Sequence, residues 1–122
     1  MELRVKKNCL EIKNENGWSL FASLPDEIEK YSIISHHIVV KTDQGSGKAD
    51  DRNIFLFDMN GNLLWQIEKA ESLPDPFYPN RPNPYCGFQW ENEKLICFTQ
   101  GGLDYEVDLS SGKIKRIGFS RF

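Results

Sequence analysis

Residues 103–115 read LDYEVDLSSGKIK, and this stretch decides the fold. Its first seven residues alternate between apolar and acidic, so an extended chain carries carboxylates on one side and apolar groups on the other. Such a period of two predicts a half-buried β-strand. Ser110, Ser111 and Gly112 then predict a tight turn, since glycine adopts a positive φ at little cost. Lys113 begins a returning strand, and the stretch therefore predicts a β-hairpin.

The charges of this hairpin predict its register. Pairing across the turn sets Val107 opposite Ile114 and Glu106 opposite Lys115. The apolar pair then lies inside and the charged pair outside, where each such pair contributes about 0.2–1 kcal/mol. We expect the last third of the chain, from residue 85 to 119, to form four short strands joined by tight turns.

The composition is that of a single globular domain. A chain of 122 residues is long enough to bury a core without disulfide or metal staples, so we expect one all-β domain over residues 1–122. Charged residues make up 27% and hydrophobic residues 39%, which argues against disorder. The net charge of −3 comes with scattered basic residues, so no nucleic-acid partner is expected.

The N-terminal region and the cysteines bear on the compartment. Residues 1–7 alternate polar and apolar and lack the apolar run of a signal peptide, and no stretch approaches the length of a membrane span. The three cysteines are far apart and odd in number, which argues against a disulfide framework. These features predict a cytoplasmic protein with reduced thiols and no membrane partner.

Upstream of the final hairpin the sequence predicts further short strands. Residues 3–12 indicate a first hairpin and residues 18–22 a third strand, while 31–34 and 38–42 are rich in β-branched residues. Residues 26–30 follow a proline and are rich in acids, which favours one helical turn there.

Residues 54–57, Ile-Phe-Leu-Phe, are the expected centre of the core. A short strand with no polar position is typical of a strand covered on both faces. The Asp-Met-Asn-Gly-Asn segment that follows predicts a hairpin turn, and it lacks the closing glutamate of a calcium loop. This turn sets Phe57 opposite Leu63 and Phe55 opposite Trp65.

Two short motifs suggest ligands, but their contexts argue against both. His36 and His37 are adjacent, so in an extended chain their rings point to opposite faces, and a turn is the better account. Residues 45–48, Gly-Ser-Gly-Lys, match part of the sequence motif of a phosphate-binding loop. Thr42 stands where that motif requires glycine, and Ala49 where it requires Ser or Thr. We therefore expect no metal site and no cofactor.

A proline-rich stretch carries the predicted partner-binding residues. Residues 73–84 hold five of the six prolines, which excludes the stretch from a sheet interior. Phe77 and Tyr78 lie beside Arg81, and an aromatic pair with an arginine on a stiff loop is typical of interface anchors. The alternative is a long crossover whose aromatic residues close the end of the core.

Two hairpins about fifty residues apart share one frame. Each has an apolar strand that ends in aspartate, a turn with glycine at Gly61 or Gly112, and a returning apolar strand, the first of which reaches Trp65. This pattern resembles the blades of quinoprotein-like (PQQ-like) β-propellers over about residues 31–119. The chain is also similar to small uncharacterised bacterial proteins. Neither resemblance implies an activity or a cofactor, because the shared motif is one that builds blades.

These patterns predict an all-β fold. We expect an antiparallel β-meander of about ten or eleven short strands in blade-like units, curled into a sandwich or a barrel. Two four-stranded units with a three-stranded N-terminal piece are too few to close a propeller. Such a chain has exposed edges and faces to cover, which favours a homodimer.

For function, the sequence favours a non-catalytic protein-interaction module of an immunity-like or regulatory kind. Its partner is an unknown protein, bound through the proline-rich stretch. The alternative is a small-molecule-binding β domain that uses an aromatic-lined pocket, with aromatic residues such as Trp18, Trp65 and Trp90 as candidates. No nucleophile, base and orienting group occur at a recognisable spacing, so no catalytic residue is predicted and the protein is expected not to be an enzyme.

Overall fold

The structure is a computed structural model, and it describes residues 1–43, 51–71 and 83–119. Eleven β-strands run through these ranges, each antiparallel to the strands it pairs with. They are β1 (Leu3–Lys6), β2 (Cys9–Asn14), β3 (Gly17–Ser23), β4 (Ile28–Ile34), β5 (His37–Thr42), β6 (Ile54–Phe57), β7 (Leu63–Gln66), β8 (Tyr85–Glu91), β9 (Lys94–Thr99), β10 (Leu103–Val107) and β11 (Ile114–Phe119).

Consecutive strands pair into three meandering sheets. Sheet 1 has the order β1-β2-β3, sheet 2 the order β4-β5-β6-β7, and sheet 3 the order β11-β10-β9-β8. The predicted all-β antiparallel meander is therefore confirmed. Within the described ranges the strands close neither a barrel nor a propeller. The same ranges contain no helix that could cross a membrane.

Sheet 2 is the middle layer. One hydrophobic cluster joins it to sheet 3 and a second cluster joins it to sheet 1. All four side chains of β6 are buried, two in each cluster, as predicted for a strand covered on both faces. Each contributes about 1.5–3 kcal/mol through burial. The first cluster includes Val39, Ile54, Leu56, Trp65, Phe88 and Tyr105, and the second includes Leu10, Ala22, Val40, Phe55 and Phe57.

The final hairpin has the predicted register. Val107 pairs with Ile114 and Glu106 with Lys115. The carboxylates and apolar groups of β10 alternate between the two faces, and its apolar side chains are the buried ones. The Glu106 carboxylate lies 3.6 Å from the Nζ of Lys94 on the other neighbouring strand. The acidic row of β10 is thus placed between two strands that carry lysines.

The earlier hairpin follows the prediction for one pair and departs from it at the next. Phe57 pairs with Leu63, as predicted, but Trp65 pairs with Leu56 and not with Phe55. A β-bulge separates the two pairs, and Leu64 is the extra residue of β7. The prediction was wrong by one position because a bulge moves every later residue of its strand relative to the partner strand.

The helical turn expected over residues 26–30 does not form. β4 already begins at Ile28, whose N–H donates a 2.9 Å hydrogen bond to the Lys7 carbonyl. The Ile28 side chain is buried in the cluster that joins sheets 1 and 2. Tertiary burial and a backbone bond to sheet 1 outweigh a weak local preference for a helix.

The two histidines lie at a tight turn between β4 and β5. Ser35 and His36 have φ values of 47° and 62°, the left-handed geometry of a two-residue hairpin turn. His37 is the first residue of β5, and its Nδ1 lies 2.7 Å from the Ser35 carbonyl. Across the described residues no group of His, Cys, Asp and Glu could hold a metal ion. The Gly-Ser-Gly-Lys segment, residues 45–48, lies outside them.

Candidate functional site

The partner-binding residues predicted from the sequence, Phe77, Tyr78 and Arg81, lie outside the described residues. The structure describes the two positions that flank their segment. Asn83 donates a 3.1 Å hydrogen bond from Nδ2 to the carbonyl of Glu71. The segment therefore leaves and rejoins the described chain at one place.

Buried polar side chains hold this place together. Asn83 is buried, its N–H donates to Asp51 Oδ2 at 3.3 Å, and its Oδ1 accepts from the Gly101 N–H at 2.8 Å. The Glu71 N–H donates to the Tyr105 hydroxyl at 3.0 Å. A buried polar network whose members are bonded is rigid, and rigid stems are typical of binding segments.

Asn53 ties sheet 2 to sheet 3 next to this stem. Its Nδ2 donates to the carbonyls of Thr42 at 3.1 Å and Tyr85 at 2.8 Å. Its Oδ1 accepts from the Tyr85 N–H at 2.9 Å. One buried side chain thus satisfies three backbone groups, on β5 and on the first residue of β8.

The three tryptophans of the predicted aromatic pocket lie in three different environments. Trp18 lies on sheet 1, where the Arg4 guanidinium is 4.2 Å from its ring centroid. Trp65 is buried between sheets 2 and 3 and donates from Nε1 to the Leu109 carbonyl at 2.8 Å. Trp90 is partly exposed and lines an open groove beside Leu109 and other residues of sheet 3. Of the three tryptophans, only Trp90 lines this groove, and neither the cleft at Lys41 nor the depression beside Ile117 is lined by any of them.

A small polar cleft lies where sheets 2 and 3 meet. Its volume is about 220 Å³, and its lining includes Glu29, Lys41, Asn53 and Cys86. The Lys41 side chain is almost fully buried and pairs with the Glu29 carboxylate, which is itself half exposed. A buried cation at a solvent-connected cleft is a feature that small anionic or polar ligands use.

Burial shapes the protonation of the groups in this cleft. It lowers the pKa of Lys41, and the nearby Cys86 and Asp43 act in the opposite direction. Burial also raises the pKa of the Cys86 thiol, while Lys41 lowers it by a smaller amount. The thiol therefore stays protonated at neutral pH and is a weak nucleophile there.

A further apolar feature lies on the outer face of sheet 3, the face turned away from sheet 2. Ile96, Phe98 and Ile117 lie on it around a depression of about 410 Å³. Ile96 and Phe98 are half buried, and Ile117 is 50% exposed. The face consists of Gln89, Glu91, Lys94, Ile96, Phe98, Asp104, Glu106, Lys115 and Ile117.

The pattern of β9 could have revealed this face. Leu95, Ile96, Cys97 and Phe98 form an apolar run like that of β6. Leu95 and Cys97 are buried towards sheet 2, and Ile96 and Phe98 point the other way. In β6 the same pattern is covered on both faces, whereas in β9 only one face is covered by described residues. The run therefore signals a second face that suits a covering layer.

The fold and the faces define a class: a stack of three antiparallel meander sheets, in which described residues cover only one face of the first sheet and one face of the last. Within this class the chain belongs to the family described as Domain of unknown function (DUF7957), whose model matches residues 1–119.

Two further comparisons with known proteins add little. Among curated proteins no relative matches the chain. Among solved structures, it is similar to a chain titled "Crystal structure of the computationally designed Ika8 protein: crystal packing No.1 in P63". The identity is 12% and the TM-score 0.34, and the match covers 98% of this chain and 48% of the other. The present chain thus spans about half the length of that designed protein.

Proposed function

We propose that the chain is a non-catalytic protein-interaction module that binds its partner through the outer face of sheet 3. The observation that carries this proposal is the apolar run of β9, half of which faces away from the core. Ile96, Phe98 and Ile117 there are ringed by charged side chains, and an apolar centre with a polar rim is the usual anatomy of a protein interface.

Site-specific photo-crosslinking tests the proposal. A photoreactive phenylalanine analogue at position 117 is expected to trap a protein in cells that express the chain. The control carries the same analogue at Ile33, which is 49% exposed against 50% for Ile117 but lies on β4 in sheet 2. Crosslinks at position 117 and none at position 33 support the proposal. Equal yields at both positions contradict it.

The proline-rich segment is a second proposed partner-binding surface. Its support is the stem at Glu71 and Asn83, which fixes where the segment leaves the sheets. The double substitution Phe77→Ala/Arg81→Ala is expected to lose a partner that the wild type retains in a pull-down. The double substitution Ile33→Ala/Leu63→Ala, which changes two exposed apolar residues of sheet 2, is the control. Equal recovery with both double variants would remove this segment from the interface.

A second candidate function, the binding of a small polar ligand, is favoured by the cleft at Lys41. The buried Lys41 ammonium, which pairs with the half-exposed Glu29 carboxylate, can donate hydrogen bonds to a carboxylate or phosphate group. A thermal-shift screen of small acids is expected to return compounds that raise the Tm of the wild type and not that of Lys41→Met. A screen in which every stabilising compound acts equally on both proteins counts against the cleft.

A further inference from the structure

The sheets of this molecule are joined by one repeated contact. In sheet 2 the turn before the last strand carries Gly61, and a Cβ there would lie 2.2 Å from the carbonyl oxygen of Phe21 on β3. In sheet 3 the corresponding turn carries Gly112, and a Cβ there would lie 2.8 Å from the Trp65 ring on β7. In both cases the turn glycine of one sheet touches the last strand of the sheet before it.

Both turns are built alike. Asp58 Oδ1 accepts a hydrogen bond from the Asn60 N–H at 2.8 Å, and Asp108 Oδ1 accepts from the Ser110 N–H at 2.9 Å. The glycine follows with a φ of 83° at Gly61 and 74° at the other turn. An Asx side chain that caps the turn, followed by a left-handed glycine, is thus the local device that presents a bare backbone to the neighbouring sheet.

Sheet 1 contains a similar turn, and no described sheet lies against it. Asn14 Oδ1 accepts from the Asn16 N–H at 3.0 Å, and Gly17 follows with a φ of 107°. A Cβ built on Gly17 would meet nothing within 4 Å. The turn shares the Asx cap and the positive-φ glycine of the two docked turns, and the described part of the chain provides no sheet before it.

The last strand of sheet 3 has a bulge like that of β3, and no described turn lies against it. Phe21, which receives Gly61, is the extra residue of a β-bulge in β3, since its neighbours Leu20 and Ala22 pair with Glu11 and Leu10. β11 has a bulge of the same kind, and its extra residue is Ile117. Phe21 is partly buried under sheet 2, whereas Ile117 is 50% exposed.

The two open faces also complement each other in apolar surface and in charge. The outer face of sheet 1, turned away from sheet 2, presents Trp18 and Leu20, and Leu20 is 62% exposed. The outer face of sheet 1 carries three cations and two carboxylates, so its net charge is positive. The outer face of sheet 3 carries two cations and three carboxylates, so its net charge is negative. These are Arg4, Lys6, Lys13, Glu2 and Glu11 on sheet 1, and Glu91, Asp104, Glu106, Lys94 and Lys115 on sheet 3.

We propose that the partner of the outer face of sheet 3 is a second copy of this chain, docked through the outer face of its sheet 1. The Gly17 turn of one copy lies against Ile117 of the other, as the Gly61 turn lies against Phe21 within one copy. The contact joins two different surfaces, so it leaves one open face on each copy. Two such contacts related by a two-fold axis close the assembly. This inference rests on the proposed interaction through sheet 3.

The first test measures assembly by light scattering over micromolar to millimolar concentrations. The wild type is expected to exceed the mass of a monomer. Ile117→Arg and Leu20→Arg, each alone, are expected to weaken association about tenfold or more, because each buries an uncompensated charge in the contact. Ile33 is an isoleucine as exposed as Ile117 but lies outside both faces, so Ile33→Arg is expected to assemble like the wild type.

Mixing the two disrupted variants distinguishes this contact from a symmetric one. The Ile117→Arg chain keeps an unchanged sheet 1, and the Leu20→Arg chain keeps an unchanged sheet 3. When the two variants are mixed, these two unchanged faces form one contact, and the two substituted faces would meet in the other. Association is therefore expected to recover in part on mixing. Circular dichroism confirms that each variant is folded before mixing. Recovery supports the head-to-tail contact, and its absence between folded variants overturns it.

Crosslinking identifies the two surfaces directly and remains decisive if the arginine variants do not fold. The chain with the photoreactive analogue at position 117 is mixed with an isotope-labelled wild-type chain and irradiated. The expected product joins it to the labelled peptide that contains Gly17. A chain that stays monomeric and forms no such product overturns the inference. If it still traps a different protein in cells, the proposed function stands without this inference.

Discussion

At the scale of single residues, two glycines determine how closely the sheets pack. Gly61→Ala and Gly112→Ala each place a Cβ within 3 Å of a neighbouring sheet and at a positive φ. The left-handed backbone costs about 1–2 kcal/mol, and forced overpacking adds about 1–3 kcal/mol. We expect both variants to lose at least about 2 kcal/mol of unfolding free energy in urea titrations.

The control for this prediction is another glycine of sheet 3. Gly118 has no positive φ, and a Cβ there would meet nothing within 4 Å. Gly118→Ala is therefore expected to be neutral or stabilising by up to about 1 kcal/mol, because alanine restricts the unfolded chain. Equal losses at Gly61 and Gly118 would show that the close contact between sheets has no energetic weight.

Cys97 gives stability a pH dependence at the alkaline end. Its thiol is fully buried in the cluster between sheets 2 and 3, and burial raises the pKa far above the usual value. In the unfolded chain a thiol loses its proton near pH 8.5, so above that pH the folded state binds more protons and stability falls as pH rises.

The expected size of this effect is about 1.4 kcal/mol per pH unit for one group. Between pH 9.5 and 10.5 the unfolding free energy of both proteins is measured. The decrease in the wild type is expected to exceed the decrease in Cys97→Val by about 1.4 kcal/mol. Val39→Ala, which also perturbs the cluster but removes no titrating group, is the control and keeps the wild-type slope. A slope that is the same in Cys97→Val and wild type contradicts the assignment.

At the scale of elements, strand order and most pairings follow from the sequence. The alternation in β10 and the turn glycine predicted the pair of Val107 and Ile114, which the structure confirms. The pairing of Trp65 was missed because the bulge at Leu64 lets its ring pack under Gly112 of another sheet. A contact 47 residues away along the chain leaves no local signal in β7. The strand at Ile28 was missed for the same reason.

Asn53 joins two elements, and its removal is expected to separate them. Asn53→Ala leaves the buried Tyr85 N–H and the Thr42 carbonyl without their partner. Each buried group that loses its bond costs about 1–3 kcal/mol, so we expect a loss of at least about 2 kcal/mol in urea titrations. Asn60→Ala, an exposed amide in the turn after β6, is the control. A loss no larger than that of the control would mean that water replaces the Asn53 bonds.

At the scale of the whole molecule, the sequence predicts the number of sheets but not which faces meet. Strands β6 and β9 carry similar apolar runs, and described residues cover both faces of β6 but only one face of β9. The aromatic residues named as ligand-binding candidates, Trp18, Trp65 and Trp90, lie on three separate sheets and in separate environments. The resemblance to quinoprotein-like blades stays a prediction, as does the role of Phe77, Tyr78 and Arg81.

The layered arrangement also predicts an order of local stability. Sheet 2 is covered on both faces, and β6 is hydrogen-bonded on both edges, whereas described residues cover only one face of the three-stranded sheet 1. Amides that open only on global unfolding exchange slowest, and those of thinly covered elements exchange through local opening. In native-state hydrogen exchange at low chain concentration, the amides of β6 are therefore expected to be the slowest and those of β1 much faster.

The concentration dependence of this exchange connects the fold to the proposed assembly. If a second copy covers sheet 1, protection of β2 and β3 rises with chain concentration while that of β6 follows global stability. Leu20→Arg removes this rise if the added protection comes from the contact on sheet 1, whereas Ile33→Arg leaves it in place. An exchange pattern in which β1 and β6 are equally slow at every concentration would show one cooperative unit and contradict the layered order.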